Sequence, residues 1–252
     1  MIIRIVQKIS KLLPFVLLLP GSMMSMGGIP APAAGAVFEL RVYHFSSAEQ
    51  EATLDAYLKD ALLPALHSSG IAKAGVFKAL ANDTASDKKI FVLIPFKSFD
   101  QRQSAAAKLQ KNKSYNDKGA AFINAVWDKP SFNRMETILL TPFRYMTSIA
   151  VPQLTGPKKD RVYELRSYES ASEKIFQNKV KMFNEGGEVA LFKRLGFNAV
   201  FYGEVIAGAS MPNLMYMTSF ENRQSRDEHW KAFSADPEWK TLSAMPEYQK
   251  NV

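Results

Sequence analysis

The chain of 252 residues is long enough to bury one large core or two cores of about 100 residues each. Its composition, 47% hydrophobic and 22% charged, is ordinary for a globular protein and excludes a disordered chain. The formal net charge of +8 falls to +5 without Arg4, Lys8 and Lys11 (29 basic against 24 acidic side chains), and the remaining lysines are scattered, so we expect no nucleic-acid partner.

The first 36 residues, 1–36, are typical of a secretory signal peptide. Three basic residues precede the short apolar run 12–19, and Ala34-Gly35-Ala36 fits a small-x-small cleavage site. The run is too short to span a hydrocarbon layer of about 30 Å, although an uncleaved anchor is the alternative. The chain has no cysteine, which excludes lipidated cysteine and disulfides. We therefore predict a periplasmic or secreted protein that meets the membrane only through this segment.

Residues 37–155 are predicted to form a first unit with the order strand, helix, strand, strand, helix, strand. Ser46 and Ser47 give a capping box before the first helix, and Gly70 closes it. A turn-rich connection at 82–87 makes the second and third strands a hairpin. The predicted strands cover 38–43, 74–80, 90–96 and 136–140, and the second helix covers about 99–109.

Residues 156–252 are predicted to form a second unit that repeats this order. Ser170 with Glu173 is the expected capping pair, and Gly186-Gly187 is expected to kink the first helix. The strands are predicted at 163–168, 200–206 and 214–220, with helices at 225–233 and from Asp236-Pro237 onward. A fourth strand would recur near 260–264, past the printed sequence. This favours a truncated longer protein over an edge that is open or completed by a partner.

This element order predicts the fold class. Strand-helix-strand-strand-helix-strand is the ferredoxin-like plait, an α+β unit whose antiparallel sheet is covered by helices on one face. Two tandem ferredoxin-like plaits can cover their bare faces by packing sheet to sheet. We therefore predict a pseudo-dimeric α/β barrel whose second plait lacks its last strand.

Six polar side chains on the two first strands form the best candidate site. The strand 38–43 recurs 125 positions later as 163–168, and both alternate apolar and polar residues. Each copy carries an acid, a base and a phenol on one face: Glu39, Arg41 and Tyr43, then Glu164, Arg166 and Tyr168. We expect this face to point into the space between the two sheets.

Two interpretations of these faces stay open. In the first, Arg41 and Arg166 bind an anionic group, while the catalytic candidates are Glu39 and Glu164 as bases and Tyr43 and Tyr168 as hydrogen-bond donors. In the second, the acid and the base of each strand pair with each other, since buried charges are kept only when paired. The three histidines show no metal-ligand spacing, and no phosphate loop is present, so we predict no metal and no cofactor.

With the repeat and the strand motif in place, the chain resembles the NIPSNAP family, whose members are similar to the dimeric α/β-barrel superfamily of ferredoxin-like domains. The matching stretches are 164–168, 214–217, 226–230 and 236–239. The first unit matches through 39–43 and is otherwise looser. The resemblance covers most of 38–252 and implies a fold and a cavity, but no settled activity.

These observations lead to two functional hypotheses. The first is an exported protein that binds a small anionic or polar organic molecule in an inter-sheet cavity, with a cofactor-independent enzyme as one form of it. The second is a non-catalytic structural or protein-interaction module whose polar strand faces are internal salt-bridge networks. The expected partners are a small-molecule ligand and a homodimer or edge-completing chain.

Overall fold

The computed structural model describes residues 2–7 and 35–251, and their strands close into one barrel. The strands are β1 (Ile2–Gln7), β2 (Val37–Phe45), β3 (Gly75–Ala79), β4 (Lys88–Phe96), β5 (Arg134–Pro142), β6 (Val162–Glu169), β7 (Asn198–Ala207) and β8 (Asn213–Phe220). Around the barrel they run β1-β3-β4-β2-β5-β7-β8-β6. The seven strands from β3 to β6 form a curled antiparallel sheet, and β1 joins its two edges in parallel pairing.

Helices cover the outer face of this sheet. In the first unit α1 (Ala48–Ala56) passes through a π-helical turn (Tyr57–Leu62) into α2 (Leu63–Ser68), and α3 (Phe99–Lys111), α4 (Lys113–Lys118) and α5 (Ala120–Ile123) follow the hairpin. The second unit contributes α6 (Glu173–Asn184), α7 (Glu188–Arg194), α8 (Arg223–Ala235) and α9 (Pro237–Ala244). In the part of the chain that the structure describes, every helix is too short or too polar to cross a bilayer.

The predicted fold is confirmed. The first unit has the sheet order β3-β4-β2-β5, and the second has β7-β8-β6 in the corresponding places, without a fourth strand. The two units join where β5 pairs with β7, across a register shift between Leu139 and Leu140. Both therefore contribute strands to one barrel, as expected for two plaits packed sheet to sheet.

The position beside β6 is taken by β1. In the first unit the fourth strand, β5, pairs with the first strand, β2. The corresponding neighbour of β6 is β1, which runs parallel to it from the pair Ile2 and Val162 to the pair Gln7 and Ser167. The edge that the sequence left open is thus occupied by a segment of the same chain. β1 lies within the predicted signal peptide, and 8–34, including Ala34 of the predicted cleavage site, are outside the described residues.

Local sequence signals explain most helix boundaries. Ser47 forms the expected capping box with Gln50, and Asp236 caps α9. The N-cap of α6 is Ser172, whose hydroxyl accepts from the Ile175 amide, so the expectation for Ser170 is wrong. Gly187 has a φ of 92°, a left-handed conformation that favours glycine, and it separates α6 from α7 as the predicted kink.

The molecule has separate cores on the two faces of its sheet. The inside of the barrel is filled by apolar residues from both units, including Leu40, Leu165 and Met217. A second core lies between the sheet and the helices of the first unit, and a third lies in the same layer of the second unit. Strands such as β2 are consequently buried on both faces, and only Arg41 of that strand is partly exposed.

Candidate functional site

The duplicated polar faces point toward the helices, which makes the expectation that they face the inter-sheet space wrong. Leu40, Val42 and Leu165 belong to the core inside the barrel, whereas Tyr43 belongs to the core under the helices of the first unit. The reason is the alternation of a strand, because the neighbours of a lumen-facing residue must face outward. Glu39, Arg41, Glu164, Arg166 and Tyr168 accordingly meet helix side chains or aromatic rings of the outer layer.

In the first unit the acid of this face is fully paired. Glu39 has no exposed surface, and its two carboxylate oxygens accept from Arg41 and from Arg102 of α3. Burial works against the charged form of Arg41, but Glu39 and Tyr43 outweigh it and raise the pKa of that guanidinium. Burial also raises the pKa of the Tyr43 phenol. This cluster is a closed ion-pair network of the kind that the second interpretation anticipates.

The second unit also pairs its buried glutamate with donors from a helix, but different residues supply the hydrogen bonds. Arg226 of α8 donates to both oxygens of the buried Glu164, with Nε 2.7 Å and Nη2 2.9 Å away, and Trp230 Nε1 donates at 2.8 Å. Arg226 thus takes the role that Arg102 has in the first unit, at an offset of 124. The same offset aligns the hairpins and helices of the two units, so this signal could have identified both arginines from the sequence.

Arg166 occupies the place of Arg41 without its hydrogen bond. Its Nη1 lies 3.7 Å from Glu164 Oε1, and its guanidinium stacks 4.3 Å from the Trp230 ring and 5.5 Å from the Tyr168 ring. Its side chain is 12% exposed. Burial opposes the charge on Arg166, and the nearby Tyr216, Tyr168 and Glu164 nevertheless raise its pKa.

A buried lysine and a buried glutamate extend this cluster, and the sequence pattern predicted neither. Lys179 of α6 and Glu188 of α7 are both almost fully buried, with Nζ 3.3 Å from Oε2. The Lys179 ammonium also lies 5.3 Å from the centre of the Tyr168 ring. Burial raises the pKa of Glu188, although Lys179 acts in the opposite direction. On an amphipathic helix such charges normally face solvent, which explains why the pattern pointed elsewhere.

The cavity that the fold predicts opens at one end of the barrel and has a volume of about 870 Å³. Its deep wall is apolar and draws on both units: Leu40, Val42, Phe91, Ile138, Leu165 and Met215. Its mouth is polar: His44, Asn82, Asp87, Lys89, Arg134, Glu136, Ser167, Glu169 and Asn213. None of the six predicted site residues lines it.

His44 is the most enclosed titratable group of this mouth. It follows Leu40 and Val42 on the lumen face of β2 and is 4% exposed. Its Nδ1 lies 2.8 Å from Asp87 Oδ1, and its Nε2 lies 3.2 Å from Glu136 Oε1 and 3.1 Å from Arg134 Nη2. Burial disfavours the charge on Asp87, but the hydrogen bond from His44 outweighs this effect and lowers the pKa of Asp87. From the sequence we predicted only that His44 lies at the end of the first strand.

The second unit forms the facing wall of the mouth. Ser167 of β6 and the buried Asn213 of β8 are diagonal neighbours on adjacent strands, and Asn213 Nδ2 donates to Ser167 Oγ at 2.8 Å. Glu169 lies 125 positions after His44, so the two units place different polar groups at equivalent points of the rim. Among the residues that the structure describes, no three His, Asp or Glu side chains converge as metal ligands.

Comparison with known proteins supports the fold and the second unit. Residues 163–252 match the model of the NIPSNAP family, which confirms the resemblance for that part of the chain. A candidate monooxygenase from Fusobacterium nucleatum is 12% identical with a TM-score of 0.52, over 83% of this chain and 85% of that one. A candidate monooxygenase from Lactobacillus acidophilus is 12% identical with a TM-score of 0.53, over 83% and 86%. At such identities the likeness concerns the fold alone. No curated protein matches the chain.

Proposed function

We propose that this protein binds a small organic molecule, with an apolar body and a polar or anionic head group, in the cavity at the end of its barrel. The observation that carries the proposal is the cavity of about 870 Å³ with an apolar wall and a polar mouth. Small-molecule sites are typically concave and mostly apolar, with a few convergent polar groups that fix orientation. The two structural neighbours of the same fold are described as candidate monooxygenases, and this description supports a small-molecule-binding role.

The mouth supports an anionic head group for the ligand. Arg134 is 62% exposed, and its Nη2 lies 2.8 Å from Glu136 and 3.1 Å from His44, so the guanidinium can turn toward a bound anion. Lys89 adds a second cation, 3.4 Å from Asp87. Planar guanidinium groups match carboxylates bidentately, which makes Arg134 the better anchor of the two.

The same arrangement supports a proton-transfer reaction that needs no cofactor. Histidine is the side chain that serves most often as general acid or base, and the Asp87 carboxylate fixes the ring of His44 through Nδ1. Movement of Arg134 and Glu136 away from Nε2 would leave that nitrogen free to exchange a proton with a ligand. We propose His44 as the reacting group in place of Glu39, Glu164, Tyr43 and Tyr168. We further propose that the protein is exported, on the strength of the features of 1–36.

The second hypothesis, of internal salt-bridge networks, accounts for Glu39 and Glu164, and these residues lie outside the cavity. Glu39 and Glu164 have their carboxylate oxygens occupied by arginine donors under the helices. Their role is to hold the second helix of each unit against its sheet, and this role is compatible with a binding cavity on the opposite face.

A ligand screen with a blocked variant tests the proposal. Ala209 lines the cavity on an exposed loop, so Ala209→Trp should obstruct the mouth while leaving the core intact. Ala235→Trp, on the exposed end of α8, is the matched control. We expect a library of small carboxylic acids to contain compounds that raise the melting temperature of the wild type and of Ala235→Trp but not of Ala209→Trp. Equal responses of all three proteins would reject the cavity as the site.

A further inference from the structure

We propose a second ligand site on the opposite face of the sheet, under the helices of the second unit, where Arg166 binds a small carboxylate. It is independent of the barrel cavity, because Arg166 lies on the helix side of β6 while the cavity lies on the lumen side. Equivalent positions in the two units differ around this arginine.

Arg166 is a largely buried guanidinium with unused donors. Among residues 35–251 no side-chain hydrogen bond of this guanidinium is seen, and its polar contact there is the 3.7 Å approach to Glu164. Glu164 is already engaged, since Arg226 and Trp230 donate to its two oxygens. A guanidinium carries five N–H donors, and leaving them unpaired away from water is unfavourable. An anion is the partner that this geometry lacks.

Strand β8, which pairs with β6 beside Arg166, carries hydroxyl side chains where the equivalent strand β4 of the first unit carries apolar ones. In the first unit, Val92 stands opposite Arg41 and Ile94 stands opposite Glu39. In the second unit, Tyr216 stands opposite Arg166 and Thr218 stands opposite Glu164. Two apolar neighbours of the closed network are therefore replaced by two hydroxyl groups.

Both hydroxyls are available to a ligand. The Thr218 hydroxyl is buried, and no residue from 35 to 251 hydrogen-bonds to it. The Tyr216 hydroxyl lies 3.4 Å from that of Tyr168, a long contact that leaves each phenol able to donate elsewhere. The tyrosine rings stack 5.8 Å apart, and burial raises the pKa of Tyr216 well above its ordinary value, so its phenol keeps its proton.

The surroundings favour a small carboxylate with a short apolar tail. A planar carboxylate can accept two parallel N–H bonds from Arg166, which a spherical ion cannot do. The Lys179 ammonium lies 5.3 Å from the centre of the same Tyr168 ring and adds positive potential, although it is also paired with Glu188. Aromatic rings of Tyr168 and Trp230 flank the guanidinium and offer apolar walls for the tail.

The tryptophans of the chain allow a direct test. There are three, and Trp127 is 93% exposed and away from this cluster, so Trp127→Phe leaves only Trp230 and Trp239 to report. In that background, sodium acetate, propionate and butyrate are titrated against sodium chloride at the same ionic strength. We expect a saturable fluorescence change with the carboxylates, at least about tenfold weaker in affinity after Arg166→Gln, because a bidentate charged contact is lost.

Two further variants make the outcome decisive. Lys231→Gln removes a charge of the same sign from an exposed position of α8 and should leave the titration unchanged. Circular dichroism shows whether Arg166→Gln folds. If it does not, Tyr216→Phe takes its place, and it should also weaken carboxylate binding. A response that chloride or phosphate reproduces, no saturable response in the wild-type cluster, or equal affinities in all variants would overturn the proposal. A failed ligand screen at the barrel mouth would leave this site untouched.

Discussion

Arg226 holds Glu164 through two parallel hydrogen bonds, from Nε at 2.7 Å and from Nη2 at 2.9 Å, across the boundary between α8 and β6. The carboxylate is fully buried, whereas the arginine side chain is 19% exposed at the helix surface. This pair fastens the second helix of the unit to its first strand. In the first unit, Arg102 and Glu39 make the same connection, so the duplicated chain uses it twice.

Breaking this pair should destabilise the protein strongly. We expect Arg226→Met to lower the free energy of unfolding by about 3 kcal/mol, because it leaves a buried carboxylate with fewer donors. Arg223→Met on the same helix breaks only the exposed i,i+4 pair with Asp227 and should change stability by less than about 0.5 kcal/mol. Urea denaturation of both variants gives the measurement, and equal losses would contradict the assignment.

Arg41 and Arg166 should differ when each is replaced by methionine. Arg41 donates to Glu39, so Arg41→Met should cost about 3 kcal/mol of unfolding free energy. Arg166 makes no such bond within the described ranges, and Arg166→Met should lose only its stacking on Trp230 and Tyr168, about 1 kcal/mol. Thermal and chemical denaturation without added carboxylate measures both. A larger loss for Arg166→Met would indicate that Arg166 is a structural ion-pair partner after all.

Glu204 should make the fold less stable as the pH rises. Burial raises its pKa in the folded protein above the ordinary value of about 4.3. The folded state therefore holds this proton more tightly than the unfolded state, and the stabilisation present at low pH is lost as the pH passes the raised value.

The variant Glu204→Gln isolates this effect. We expect it to match the wild type at pH values below about 4 and to be more stable at neutral pH, where the wild type must bury a charge. Glu228→Gln, at an exposed position of α8, should show no such divergence. Melting temperatures measured from acid to neutral pH provide the comparison, and parallel curves for wild type and Glu204→Gln would refute it.

Removal of the amino-terminal segment should change the association state. If export cleaves the chain after Ala36, the protein that begins at Val37 loses β1 and exposes the facing edges of β3 and β6. Unpaired strand edges associate readily, so we expect the 37–252 protein to dimerise and the 1–252 chain to stay monomeric. Intact-mass analysis of exported protein and light scattering of both forms test the two steps. A monomeric 37–252 protein would show that its edges are protected in another way.

The repeat in the sequence was sufficient to predict the fold but not the direction of its polar faces. An alternating pattern of apolar and polar residues identifies the two faces of a strand. It shows which face is buried only when the other face is exposed to solvent. Strand β2 is buried on both sides, so the pattern around Glu39 and Leu40 could not say which face met the helices. His44 and Arg134 escaped notice for a related reason, since they come together only when β2 and β5 pair.

The pairing of β5 with β7 gives the duplication a consequence for folding. That ladder and the shared barrel core mean that neither half retains a complete set of neighbours when the other unfolds. Two repeats linked in this way should lose structure together, with one unfolding transition and no populated half-folded species. The boundary predicted at residue 156 then separates two sequence repeats, whereas we expect the whole barrel to be the cooperative unit.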